Sequence, residues 1–373
     1  MANLNFSFSN NFLTTGEIFR DRVEVDIDKL GKGLNFNLGL DLAPLYFSYN
    51  NRDGGWGFSI FTGLSAFGNI SLSGDMLTFK EVTDEKSDTN AAAFAEVGAG
   101  AFFTVQNFKI KIRPALYYPI AYVKRDDLSY TYRNYPGASE TEFMLNYDLR
   151  VFTAFSLADG DSFKLTANPG FDFHLGVEYP LSEVLGLKEK NSLLDFIVGL
   201  DLINVPMIRG TMNNYMHVKG RIGSEDPIDI LNSGLLDGNN FDMKEFVNIE
   251  DIVHGKEALK VTRPFKMLAW AEWQPFDTEM ITFIPTLGFA VNPLYVNPGS
   301  FEGGVKSRLN LANIFLATLG IGYHDRLWVN SLDLALNLRA FQLDIGLSLQ
   351  SADFAKSWSG GGFGLGIGLK FGW

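Results

Sequence analysis

The strongest constraint on what this chain can fold into lies in residues 361–373, GGFGLGIGLKFGW, where large apolar and minimal side chains alternate without interruption. Phe363, Leu365, Ile367, Leu369, Phe371 and Trp373 hold the odd positions, and Gly362, Gly364, Gly366, Gly368, Lys370 and Gly372 the even ones. A period of two puts all six large side chains on one face of a β-strand. The other face, glycine with one lysine, gives a protein core nothing to pack against. The same one-sided pattern recurs along the chain, and lipid is the simplest cover for so many apolar faces. The expected class is therefore all-β, a single transmembrane antiparallel β-barrel.

The recurrence predicts strands from Leu34 to the turn at Asn50–Gly55, then at Trp56–Ser73, Ala93–Val105, Phe108–Val123, Phe143–Ser156, Phe163–Tyr179 and Leu193–Val205. It continues at Thr262–Gln274, Met280–Val291, Gly303–Leu311, Ile314–Tyr323, Trp328–Leu338, Phe341–Gln350 and Gly361–Trp373. Pro44, Pro114 and Pro119 mark bulges. With the last strand pointing to the periplasm, the tight turns collect at that rim, and 74–92, 124–142, 180–192, 292–302 and 351–360 fall outside. Parity then fails twice, because residues 1–33 and 206–261 must both climb from the inner to the outer rim. If both climbs are strands (Leu4, Phe6 and Phe8 alternate, Met212–Gly220 weakly), the barrel has 16 strands. If both run through the lumen it has 14 and an N-terminal plug, which the acidity and poor alternation of the two segments favour. The expected organisation is thus residues 1–33 as plug or first strand, then a barrel over 34–373 with 206–261 as loop or lumen lid.

Composition narrows the function. No apolar run reaches the roughly 18 residues of a spanning helix. A mean hydropathy of +0.03 is compatible with lipid-facing strands, since only alternate residues meet lipid. The 33 Phe and 38 Gly fit aromatic girdles and glycine-faced strands. With no cysteine, disulfides and thiol chemistry are absent, and a net charge of −12 argues against nucleic acid. The start, Met1-Ala2-Asn3-Leu4, reads as a mature chain whose leader has been removed.

Once the apolar faces point outward, the lumen lining follows. Lys109, Lys111 and Arg113 point inward from one strand, and Glu96 from the strand before it. Asp148 and Arg150 follow on the next, then Lys164, Asp172, His174 and Glu178. Opposite charges on neighbouring strands pair readily, so these ten residues form either a solute-selecting constriction or a salt-bridged wall. The basic strip 109–113 favours anions if the lumen is open. Segment 221–261, acidic and with a helix start at Ser224-Glu225-Asp226-Pro227, is either a lid or an outer loop. The apolar set of residues 1–33 (Phe12, Ile18, Phe19, Val23 among them) could dock a hydrophobic solute or merely seal the lumen. His174, His217, His254 and His324 stand on separate segments without ligand spacing, so no metal, cofactor or catalysis is expected.

Three stretches, 9–30, 55–74 and 109–124 (KIKIRPALYYPIAYVK), resemble outer-membrane barrels of spirochaetes of the treponeme type. An aromatic residue at the C-terminus resembles the recognition signal of bacterial outer-membrane barrels, which implies the barrel-assembly machinery as a partner beside outer-membrane lipid. A 14-strand barrel with a plug is similar to the long-chain fatty-acid transporter family, which implies passage of hydrophobic solutes and lateral exit. Residues 1–33 lack that family's glycine- and alanine-rich hatch composition. The function expected is passive diffusion of small solutes, polar or hydrophobic, through a partly plugged charged lumen. The alternatives are a hydrophobic-solute transporter with lateral exit, and a closed structural or adhesive barrel.

Overall fold

The computed structural model describes residues 2–10, 34–51, 53–72, 82–86, 88–134, 141–155, 164–187, 194–223, 247–276, 280–291, 300–324, 327–338, 340–351, 354–359 and 361–371. Its strands are β1 (Ala2–Asn10), β2 (Leu34–Asn50), β3 (Trp56–Leu72), β4 (Val82–Lys86), β5 (Asp88–Val105), β6 (Phe108–Asn134), β7 (Thr141–Thr153), β8 (Gly170–Tyr179) and β9 (Phe196–Ile208). The remainder are β10 (Gly210–Gly223), β11 (Val247–Val261), β12 (Lys266–Trp273), β13 (Ile281–Ala290), β14 (Ser300–Leu311), β15 (Phe315–His324), β16 (Leu327–Leu338), β17 (Phe341–Ser351) and β18 (Gly362–Phe371). All pairings are antiparallel, and β1 joins both β2 and β18, so the sheet closes into a 14-strand barrel.

The count is 14 because four wall positions are each shared by two strands, the first of them by β4 and β5, which both run along β6. β7 and β8 both run along β6 in the same direction: Thr153 faces Ala121, and Gly170 faces Tyr117. Between them the chain leaves the wall at Ala154 and returns at Asn168, which exchanges 2.8 and 3.0 Å backbone hydrogen bonds with Thr211. β9 leads into β10, and β11 into β12, each pair forming one wall position.

This corrects the hairpin expected between Phe143–Ser156 and Phe163–Tyr179. Asp159-Gly160-Asp161 has the composition of a hairpin turn, but the chain after it resumes the strand position it left; residues 156–163 themselves lie outside the described residues. The connection 180–192 therefore sits at the rim of the tight turns, opposite to expectation, with a short helix α1 (Leu181–Val184) in it. Both climbs turn out to contain wall strands, β1 and β10, without raising the count to 16. The stretches 11–33 and 224–246, where a plug and a lid were expected, lie outside the described residues. Pro44 and Pro119 do mark register shifts, at Leu42/Leu45 and Ala93/Phe94.

The outer face is apolar from strand to strand. Leu38, Ile60, Leu116, Leu200, Leu287, Leu319 and Leu347 are all exposed, as are Leu365 and Ile367, while Gly364 and Gly368, which flank the last two, are covered. A continuous belt of this kind far exceeds the apolar patch of about 300–600 Å² found on soluble monomers. Aromatic pairs border it. At the tight-turn rim lie Tyr49–Trp56, Phe108–Tyr179, Phe196–Trp273 and Phe341–Phe371, with ring centroids 4.7–5.9 Å apart. At the other rim Tyr323, Trp328 and Phe354 cluster, the last on helix α2 (Phe354–Ser357). Girdles flanking an apolar belt are the signature of a lipid-embedded barrel.

The barrel is lopsided. β6 has 27 residues and β18 only 10, and about 9–11 tilted residues suffice to cross a bilayer. β6, β7, β10 and β11 thus rise as a wall beyond the long-loop rim, and most of the expected loop 124–142 is strand within it.

Candidate functional site

The lumen is the candidate site, and its two sides differ. On the side formed by β5 to β12, three neighbouring wall positions break at one level. The chain leaves the wall at 154–169. β9 bends at Asn204, whose φ is +57°, and Pro206, and β11 stops before Thr262–Phe265. Asn204 ties two of these breaks together, its side-chain amide donating to Pro264 O at 2.9 Å. Tyr117 ties them to β6: its hydroxyl accepts from Gly210 N at 3.1 Å and donates to Val261 O at 2.9 Å. Around this phenol, Ala92, Phe94, Phe152, Met212 and Val261 form a buried apolar core inside the barrel.

Beneath that core lies a buried ion cluster. Arg263 donates to both carboxylate oxygens of Asp172, at 2.8 and 2.5 Å, and to Glu96, and its guanidinium stands 5.4 Å from the Tyr117 ring centroid. Arg263 and Asp172 are almost fully buried. Bidentate geometry of this kind is the strong form of an Arg–carboxylate contact.

Nine of the ten charged residues singled out from the sequence lie on wall strands, seven of them on β5, β6 and β8 and two, Asp148 and Arg150, on β7 in the rising wall. Lys109 pairs with Glu178 at 3.5 Å, and Lys111 with the same carboxylate. Arg113 lies over the Phe61 ring, 4.4 Å from its centroid. His174 Nε2 is 2.9 Å from Asp201 Oδ1, whose other oxygen accepts from Trp270 Nε1 at 2.7 Å. In the rising wall, Arg150 pairs with Glu257 at 2.8 Å, and Asp148 is held by His217 and by Lys219 at 3.2 Å. Burial works against the Asp148 charge, but the hydrogen bonds from His217 and Lys219 prevail and hold its carboxyl below the usual carboxylate range. Lys164 departs from the reading: it sits exposed in the excursion between β7 and β8, off the wall.

Arg263, Asp201 and the pair Lys266–Glu302 (2.6 Å) were not foreseen. Asp201 was legible, since it alternates with the outward Leu200 and Leu202. Arg263 was not, because Pro264 breaks the alternation that would have assigned its side.

The opposite side, formed by β16, β17, β18, β1 and β2, is open and polar. Two cavities of about 180 and 290 Å³ lie against it, sharing Asn5, Asp333, Gly346 and Gly366 in their walls.

No protein-family model and no curated protein matches the sequence. Among solved structures the chain is similar to the P. putida toluene transporter TodX, with 7% identity, TM-score 0.49, and coverage of 100% of this chain and 89% of that one. A Pseudomonas aeruginosa FadL homologue gives 9% identity and TM-score 0.48, covering 99% and 89%. The Ralstonia pickettii toluene transporter TbuX gives 8% and 0.47, covering 100% and 90%. The barrel assignment rests on this chain's own strand pairing and apolar belt.

Proposed function

We propose that the chain is a bacterial outer-membrane channel through which small solutes diffuse passively. The observation that carries this reading is an apolar, aromatic-bordered exterior around an interior whose β16–β2 side is lined by polar side chains and holds cavities. Outer-membrane lipid covers the belt, and the barrel-assembly machinery inserts it. The treponeme-type resemblance in residues 9–30, 55–74 and 109–124 supports a spirochaete-like host. The lumen charges bias solutes without forming a simple anion filter, since Lys109 and Lys111 share Glu178. Reconstitution of the purified protein into planar bilayers tests the reading. Discrete conductance steps are expected, and a folded but silent barrel would turn the assignment toward a closed structural or adhesive one.

A second reading, transport of a hydrophobic solute with lateral exit, is favoured by the three wall breaks that coincide beside the apolar core of Phe94, Phe152 and Met212. Uptake of a labelled fatty acid or of toluene into proteoliposomes, with no ion conductance, is the result that would select it.

A further inference from the structure

The open side of the lumen is built in rows. Asp41, Asn5, Gly366, Gly346 and Asp333 lie side by side across five strands. The next row toward the long-loop rim holds Gly39, Ser7, Gly364, Ser348 and Ser331. In both rows a short polar side chain lies flat over a glycine of the neighbouring strand. A β-carbon added at Gly366 would stand 2.5 Å from Asn5 Oδ1, and one at Gly346 would stand 2.6 Å from Asp333 Oδ1. Ser7 covers Gly39 and Ser348 covers Gly364 in the same way. The polar groups are thereby laid along the wall instead of projecting from it, and the two cavities follow these rows. Across the lumen the corresponding space is taken by Phe94, Tyr117, Phe152 and Met212.

We infer that solutes cross the barrel along this glycine-floored lane, that they are small and hydrophilic, and that the glycines set the lane's width by giving polar side chains room to lie down. Amide, hydroxyl and carboxylate groups facing a cavity exchange hydrogen bonds with a polar solute and offer a hydrocarbon only a desolvation cost. The inference rests on the channel reading and adds the route and the solute class to it.

The mechanism makes a paired test. In Gly366→Ala the atom that must give way is the end of a flexible side chain, so the strand keeps its place and the Asn5 amide swings into the lane. Heat-modifiable gel mobility verifies that each variant folds. Single-channel conductance of the full chain should roughly halve in Gly366→Ala, because lining side chains set pore width, and swelling of proteoliposomes should slow more in a pentose than in glycerol. Adding Asn5→Ala to Gly366→Ala removes the displaced group and should restore both. Unchanged conductance in Gly366→Ala, or a loss that Asn5→Ala does not reverse, would overturn the lane while leaving the channel. A wild type that passes toluene and excludes glycerol would overturn the hydrophilic class. A wild type with neither conductance nor swelling would remove the channel reading itself, and the lane with it.

Discussion

Arg263 holds two carboxylates, and it and Asp172 are buried away from water while Glu96 is only partly covered. Removing one member of such a buried set leaves the others uncompensated, at a cost of about 3–5 kcal/mol. Arg263→Ala should therefore lower the urea midpoint of the barrel in detergent, and adding Asp172→Ala should recover part of the loss, since it withdraws the stranded charge. Asp148 gives a pH-dependent counterpart in the rising wall. Its carboxyl is depressed in the folded state, so its contribution is fully present above the ordinary carboxylate pKa and is lost as pH falls through the lower folded value. Hydrogen exchange at β7 and β10 should accelerate on acidification below that range, and Asp148→Asn should remove this acid-sensitive component. The sequence showed Asp172 and Asp148 facing inward by alternation alone. It could not show Arg263 joining them, because the alternation stops at Pro264 and the partner strands are distant in the chain.

The elements differ in how openly they announce themselves. The two-residue connection Ala312-Asn313 was legible, and both residues adopt positive φ, 54° and 59°, which suits the twist of a tight hairpin. Asn310 Oδ1 accepts from Asn313 N at 2.9 Å and fixes the turn. Asn313→Val puts a β-branched residue into the left-handed region and should destabilise the barrel by about 1–2 kcal/mol, read as a lower thermal midpoint with the fold retained. The β7–β8 relation was not legible. A polar, glycine-containing stretch between two alternating segments looks the same whether the chain reverses or steps aside and resumes. What decides is the pairing of Asn168 with Thr211, a contact between segments that no local pattern connects.

For the molecule as a whole, alternation was enough to give the barrel and its inside and outside. Leu365 and Ser348 make the check. Spin labels on single cysteines there, in a chain with no native cysteine, should separate sharply: the Leu365 label accessible to oxygen in the lipid phase, the Ser348 label accessible to a water-soluble relaxant. Equal accessibility would sink the barrel's orientation. The strand number needed more than alternation, since a climbing segment joins the wall only when its neighbours leave it a place, and that depends on all of them together. The junction of β1 with β18 carries this furthest. Ala2 stands opposite Leu369, and Leu4, Phe6 and Phe8 lie opposite Ile367, Leu365 and Phe363. A sheet joined by its first and last strands has no finished fragment: until they meet, both carry an unpaired backbone edge that any other chain can capture. Closure therefore turns on one encounter between β1 and β18, strands far apart along the chain, and contacts between distant segments are the slowest kind to form.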